Sequence, residues 1–181
     1  RRHSSAASDV YKRQIKTFLW QISVSHLELA IAISSVSIVL LAVIMDKFMY
    51  LQACPMCILT RYIFGLVALS STFGVFFKYK VFGNLLIIIS SVLGMLITSR
   101  QIYIQNMSVE GLSNLSGCGM PLSTQIEYFG VVEALKKTIS GGPSCAEDGW
   151  RFILNFAEWG LLFFLIFVLL SFSKIINSKF L

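Results

Sequence analysis

Cys54-Pro55-Met56-Cys57-Ile58-Leu59-Thr60-Arg61 is the stretch on which the reading of this chain turns. Two thiols stand three positions apart where a short polar connection ends and a long apolar run begins. Such a pair can cycle between dithiol and disulfide, or it can supply half of a metal site. Pro55 suits the first position of a helix, where its missing N–H would have no intrahelical partner. Cys54 then becomes a cap-position residue and Cys57 falls in the first turn. The partial positive charge of a helix N-terminus stabilises a thiolate there, and a disulfide between such thiols is readily reduced. The bland alternative is an inert disulfide or two buried thiols. Arg61 lies one helical turn after Cys57, on the same face. A cation in an apolar run is costly and needs a partner. Arg61 is read as supporting the Cys57 thiolate or donating to a carbonyl-bearing ligand, against the alternative of snorkelling to the outer headgroups.

The composition around this stretch is that of a membrane protein. The chain has 181 residues, 56% hydrophobic and 13% charged, with a mean hydropathy of +0.76. A soluble domain carries roughly 25% charge. Four apolar runs, at about 27–45, 57–77, 81–104 and 152–172, are each long enough to cross a core about 30 Å thick. The expected fold is all-α: an antiparallel four-transmembrane-helix bundle. Residues 15–26 form an interfacial entry, 46–56 and 105–151 the two outer loops, and 173–181 a tail. The net charge of +6 does not point to nucleic acid, because the basic residues are scattered and no polar domain presents them. Lys16, Lys78, Lys80, Lys174 and Lys179 instead collect on the N-terminal side of the bundle, which makes that side cytoplasmic.

Residue 1 is Arg and the first methionine is Met45. The true start is therefore expected upstream. Ser4 to Gln14 resembles the translation of a sequencing adapter, so residues 1–14 are set aside as a non-native tail.

The four cysteines are Cys54, Cys57, Cys118 and Cys145. They allow three pairings. None lies in the middle of an apolar run, so all four are expected on the outer face, in an oxidising compartment. Cys118 and Cys145 share the long loop, flanked by glycine and proline. By spacing alone they read as a static staple worth about 3–4 kcal/mol. In the same loop Thr124-Gln125-Ile126-Glu127 matches a capping box. Ile126, Phe129, Val132, Leu135 and Ile139 follow at roughly helical spacing, and Gly141-Gly142-Pro143 ends the pattern. This predicts a short amphipathic helix over 124–139, lying on the membrane surface or packed on the rest of the loop. Glu158, about two turns into the fourth run, is a candidate partner for Arg61. Trp150 and Trp159 read as interfacial aromatics. His3 and His26 are not placed for catalysis.

Taken together, these residues resemble the DsbB family of bacterial disulfide-bond formation proteins over about 27–172. The resemblance rests on Cys54 to Arg61, on Arg100-Gln101-Ile102-Tyr103, on Cys118-Gly119-Met120-Pro121-Leu122 and on Cys145-Ala146-Glu147-Asp148-Gly149-Trp150. It implies a multi-pass inner-membrane protein with cytoplasmic termini and periplasmic cysteine loops. It also implies a reduced DsbA-like thioredoxin-fold partner attacking Cys118, with Cys145 as the other half of that disulfide. Electrons would then pass to Cys54–Cys57, and from Cys57 to a membrane quinone, ubiquinone or menaquinone, with Arg61 at the quinone. The two residues between the paired cysteines vary in the family, so Pro55 and Met56 are compatible with it. The histidine that some members carry near the outer end of the third span is absent here. The competing readings are a vitamin-K-epoxide-reductase-like enzyme, a structural tetraspan protein with bracing disulfides, and a four-cysteine metal site. The cysteine context of the long loop argues against the first. The separation of Cys118 and Cys145 argues against the last.

Overall fold

A computed structural model describes residues 26–50, 53–76, 80–113, 115, 120–146 and 151–178. Among the described residues the regular secondary structure is helical, apart from one isolated bridge between Arg151 and Asn155. Four long helices dominate: α1 (Leu27–Met49), α2 (Pro55–Phe76), α3 (Lys80–Gln105) and, last in the chain, α6 (Phe156–Ser178). All four are long and apolar enough to cross a membrane. The outer loop adds α4 (Val109–Ser113), α5 (Leu122–Ser140) and a 3₁₀ turn, Pro143–Cys145. The adapter-like segment lies outside the described residues, as do Cys118, Trp150, Lys78 and Lys179.

Two helix boundaries differ from the sequence expectation for local reasons. α1 continues past Met45 to Met49 and ends where Tyr50, in the left-handed region (φ 52°), returns its N–H to the Asp46 carbonyl. This brings Asp46 into the last helical turn. The fourth span begins at Phe156, four residues later than the apolar run suggests. Asn155 and Glu158 set that start through a reciprocal cap. The Glu158 N–H donates to Asn155 Oδ1 and the Asn155 N–H donates to Glu158 Oε2, each at 2.8 Å.

α1 packs on α2, α2 on α3, and α3 on α6. In the half of the core nearer Pro55, Phe64 stacks on Phe164 at 4.1 Å between centroids, with Phe167 edge-on to Phe64. Gly94 accommodates this stack: a Cβ there would lie 2.5 Å from the Phe164 ring. Toward the opposite end α2 and α3 approach backbone to backbone, since a Cβ on Gly83 would stand 2.5 Å from the Gly74 Cα. Small residues at such crossings replace the hydrophobic drive that lipid cannot supply. Leucines, isoleucines and phenylalanines such as Leu40, Leu69, Leu96 and Phe172 face outward, as a lipid-facing surface requires.

The end of the bundle away from the cysteines is tied by an ion pair. Lys174 of α6 donates to Glu28 Oε1 of α1 at 2.7 Å, both side chains almost wholly buried. Ser71 of α2 donates to the Glu28 carbonyl. The pair closes the ring between the first and last helices.

α5 matches the expected loop helix but differs in two respects. It starts at Leu122 after Pro121, with no side-chain cap, so Thr124 and Glu127 do not form the anticipated box. It also turns back on itself at Gly130 (φ 77°, ψ 166°), a conformation that glycine adopts without a Cβ penalty. The reversal lets Thr138 donate to Gln125 Oε1 at 3.4 Å and sets Lys137 over the Phe129 ring. Gly141 ends the helix at φ 83°, close enough to Ile104 that a Cβ would collide with it. This contact helps to seat the following 3₁₀ turn against α2 and α3.

Candidate functional site

Pro55 opens α2, and the Ile58 N–H closes the first turn on the Cys54 carbonyl at 3.1 Å. The Cys54 sulfur curls over the helix end and accepts the Cys57 N–H at 3.2 Å, while the two sulfurs stand 2.8 Å apart. The sequence expectation of a thiol pair at a helix mouth therefore holds in detail.

The structure brings a third sulfur to the pair. Cys145 ends the 3₁₀ turn, with its N–H on the Gly142 carbonyl at 2.9 Å, and is buried with Met56 and Ile104. Its sulfur is hydrogen-bonded to Cys54. The three described cysteines are free thiols, with Cys54 in the middle. The Cys54 thiol is held well above the ordinary range because it donates to Cys145 and Cys57. Receiving that hydrogen bond is the main reason the Cys145 thiol falls to about 6; burial opposes the shift, and the backbone at Gly142 and Met56 assists it. The cluster thus keeps a proton on the central sulfur and makes Cys145 a thiolate at neutral pH. Cys118, expected to pair with Cys145, lies outside the described residues.

Gln101 was quoted in sequence only as part of a motif, and its role was missed. It is 2% exposed on α3, and its amide Nε2 lies 3.0 Å from Cys57 Sγ and 3.7 Å from Cys54 Sγ. A buried amide donor aimed at sulfur stabilises a thiolate without adding charge. The available signal was an amide side chain in the last turns of the third run, at the depth of Cys57.

Arg61 is paired with Asp46 and not with Glu158. Its Nη1 and Nη2 grip Asp46 Oδ2 and Oδ1 at 2.5 and 2.9 Å. Glu158 serves the helix cap described above, and its Oε1 lies 3.9 Å from Arg151. The expectation of an Arg61–Glu158 pair is therefore corrected. Extending α1 by one turn delivers a closer carboxylate from the neighbouring helix.

These groups border a cavity of about 440 Å³ in the cysteine-bearing half of the bundle. Ile38, Ala42 and Met45 of α1, Phe64 of α2, and Phe156, Trp159 and Phe163 of α6 form apolar walls. Cys54, Cys57, Arg61, Asp46, Gln101 and Gln105 supply the polar part. Trp159, expected as an interfacial aromatic, lines this cavity and stacks on Phe163 at 6.1 Å. The arrangement sets sulfur atoms, a guanidinium and an apolar chamber side by side at one end of the bundle.

A four-span helical bundle with a three-thiol cluster at one end of its interior defines the class: a multi-pass membrane protein with clustered cysteines. Comparison with known proteins identifies the family. The family model described as "Disulfide bond formation protein DsbB" matches residues 25–173. A disulfide bond formation protein B of Marinobacter nauticus is 29% identical over 132 residues, 70% of this chain and 77% of the relative. Its counterpart from Xylella fastidiosa is 28% identical over 138 residues, 72% and 77% of the two chains. That of Xanthomonas euvesicatoria is 29% identical over 130 residues, 68% and 73%. The chain belongs to the DsbB family and is a thiol–disulfide oxidoreductase of disulfide bond formation.

Proposed function

We propose that this protein reoxidises a DsbA-like periplasmic thioredoxin-fold protein and passes the electrons to membrane quinone. The observation that carries the proposal is the three-sulfur cluster opening, at Cys57, onto an apolar cavity that holds an arginine. The cavity residues fit a quinone. The walls are apolar, as a lipid-soluble ring requires, and Arg61 keeps N–H groups beyond the two given to Asp46, suited to a carbonyl oxygen. Quinone supplies a two-electron, two-proton acceptor.

The thiol steps follow from the order of the sulfurs. The partner's thiolate attacks Cys118 of a Cys118–Cys145 disulfide, forming a mixed disulfide and releasing Cys145 as thiolate. Cys145 is adjacent to Cys54, so it attacks the Cys54 sulfur of the oxidised pair and releases the Cys57 thiolate. The partner's second thiol resolves the mixed disulfide and leaves the partner oxidised. The freed Cys118 then attacks Cys145, restores the loop disulfide and releases Cys54. The Cys54–Cys57 pair would give two electrons to a bound quinone, with one proton from the Cys54 thiol and the second from solvent. Gln101 donates to Cys57 Sγ, and Arg61 orients the acceptor.

Placing the cysteine end in the periplasm, and both termini in the cytoplasm of a bacterial inner membrane, rests on the positive residues of the opposite end. The bent helix α5 exposes Tyr128, Phe129, Val131 and Val132 beside the bundle, which suits the outer membrane surface.

The test is catalytic oxidation of a reduced thioredoxin-fold partner by the purified protein with ubiquinone or menaquinone. Cys57→Ser should abolish quinone reduction. Full activity in that variant would overturn the mechanism. The quinone that supports the higher kcat/KM identifies the acceptor.

A further inference from the structure

We propose that Asp46 is the positioning residue for Arg61, so that the acceptor is received by a neutral Arg61–Asp46 pair and not by a free cation. The inference rests on the proposed quinone reading of the cavity. It starts from an awkward placement. Asp46 stands in the last turn of α1, where the helix dipole disfavours an anion. Among the described residues of α1, none offsets that placement. The contact that does is on the neighbouring helix: both carboxylate oxygens are gripped by the Arg61 fork, at 2.5 and 2.9 Å.

That grip has two consequences at the cavity. First, an arginine at this depth, on a flexible stem, would otherwise snorkel to the headgroups. Two parallel hydrogen bonds fix the guanidinium plane and leave three N–H groups for other acceptors. Second, the pair brings no net charge to an apolar chamber. A neutral ring can enter and a neutral product can leave without an uncompensated cation holding an anion in place. The side chains of Arg61 and Asp46 are 19% and 20% exposed, so the pair borders the cavity and is not sealed in the core.

The experiment measures reduction of a short-chain benzoquinone by the full-length protein, driven by dithiothreitol, with Asp46→Ala, Arg61→Gln and the double variant. Thiol exchange at Cys54–Cys57 without quinone is followed in parallel. Asp46→Ala should raise the quinone KM about tenfold, the scale of one charge-assisted contact, and this loss should exceed any change in quinone-independent thiol exchange. Adding Asp46→Ala to Arg61→Gln should change nothing further, because Asp46 acts only through Arg61. Asp46→Glu should restore part of the loss. Asp46→Asn, which keeps the volume and one acceptor oxygen, answers the same question should Asp46→Ala not assemble. An unchanged quinone KM in both Asp46→Ala and Asp46→Asn would overturn the proposal. So would a full-sized effect that persists in the Arg61→Gln background, or a matching loss in both half-reactions. If the parent protein shows no saturable quinone reduction, the quinone reading itself falls. Saturable reduction in the parent with an indifferent Asp46 removes only the positioning role.

Discussion

Replacing Gln101 by leucine should make the Cys54–Cys57 pair harder to reduce. The amide lies 3.0 Å from Cys57 Sγ and is 2% exposed, so water cannot take its place when it is lost. A hydrogen bond to a charged group contributes about 1.5–3 kcal/mol. It does so only in the reduced state, where Cys57 can carry charge. The disulfide has no thiolate to stabilise. For a two-electron couple about 30 mV corresponds to 1.4 kcal/mol, so the reduction potential should fall by roughly 30–60 mV. The measurement places Cys118→Ala/Cys145→Ala protein in dithiothreitol redox buffers, which removes the upstream pair. The reduced fraction is then counted by maleimide mass tagging. Gln101→Glu has nearly the same shape but sets a carboxylate against the sulfur, and should lower the potential at least as far. A leucine variant within about 10 mV of the parent, well under the expected shift, would refute the assignment of Gln101 as a thiolate donor.

Three further outcomes follow from the geometry. In the reduced protein, alkylation of Cys145 should be half-maximal near pH 6, since its thiol is lowered to about 6 mainly by the Cys54 hydrogen bond. Cys54→Ala should move that midpoint upward toward the ordinary thiol value near 8.5, as read by mass spectrometry of the labelled peptide. Glu28→Gln or Lys174→Met alone leaves a buried charge without its partner and should cost about 3–5 kcal/mol, whereas Glu28→Leu with Lys174→Met should cost less than either. Unfolding in detergent with increasing denaturing surfactant ranks the three. Gly94→Ala drives a Cβ to 2.5 Å from the Phe164 ring and should destabilise by about 1–3 kcal/mol, while Gly94→Ala combined with Phe164→Leu should recover part of the loss.

The four spans and the thiol pair were legible because both are local. Apolar length marks a membrane helix, and Pro55 beside Cys54 marks where one begins. The need of Arg61 for a partner was equally plain. Its identity was not, because the apolar run seemed to stop at Met45 and left Asp46 in a loop. The four extra residues of α1 carry no strong hydropathy signal, since Asp46 and Lys47 are among them. Sequence depth then made Glu158 the candidate, although Asn155 had already engaged it as a cap. Gln101 was hidden for a different reason. An amide near a helix end is unremarkable until the facing helix is known. Cys145 was hardest to place, because its position depends on Gly130 reversing α5 and on the 3₁₀ turn docking against α2 and α3. Its spacing suited a static staple, whereas its surroundings lower its thiol pKa and set it beside Cys54.

Two of the ion pairs among the described residues, both made by an acid of α1, differ in a way that bears on the proposed site. Glu28–Lys174 has side chains only 4% and 7% exposed, and it joins helices that otherwise meet little. A pair so completely desolvated has little capacity left for a ligand, and breaking it strands a charge. Arg61–Asp46 is several times more exposed and borders a cavity. Its guanidinium keeps donors that no protein group need take up. The same chemistry, an acid from α1 met by a base from a later span, therefore latches the bundle where it is sealed and prepares a binding surface where it is open. The sulfurs lie at the open end. Under the proposed relay, electrons arriving through Cys145 would reach Cys57 beside the more exposed of these two pairs, the one that borders the cavity.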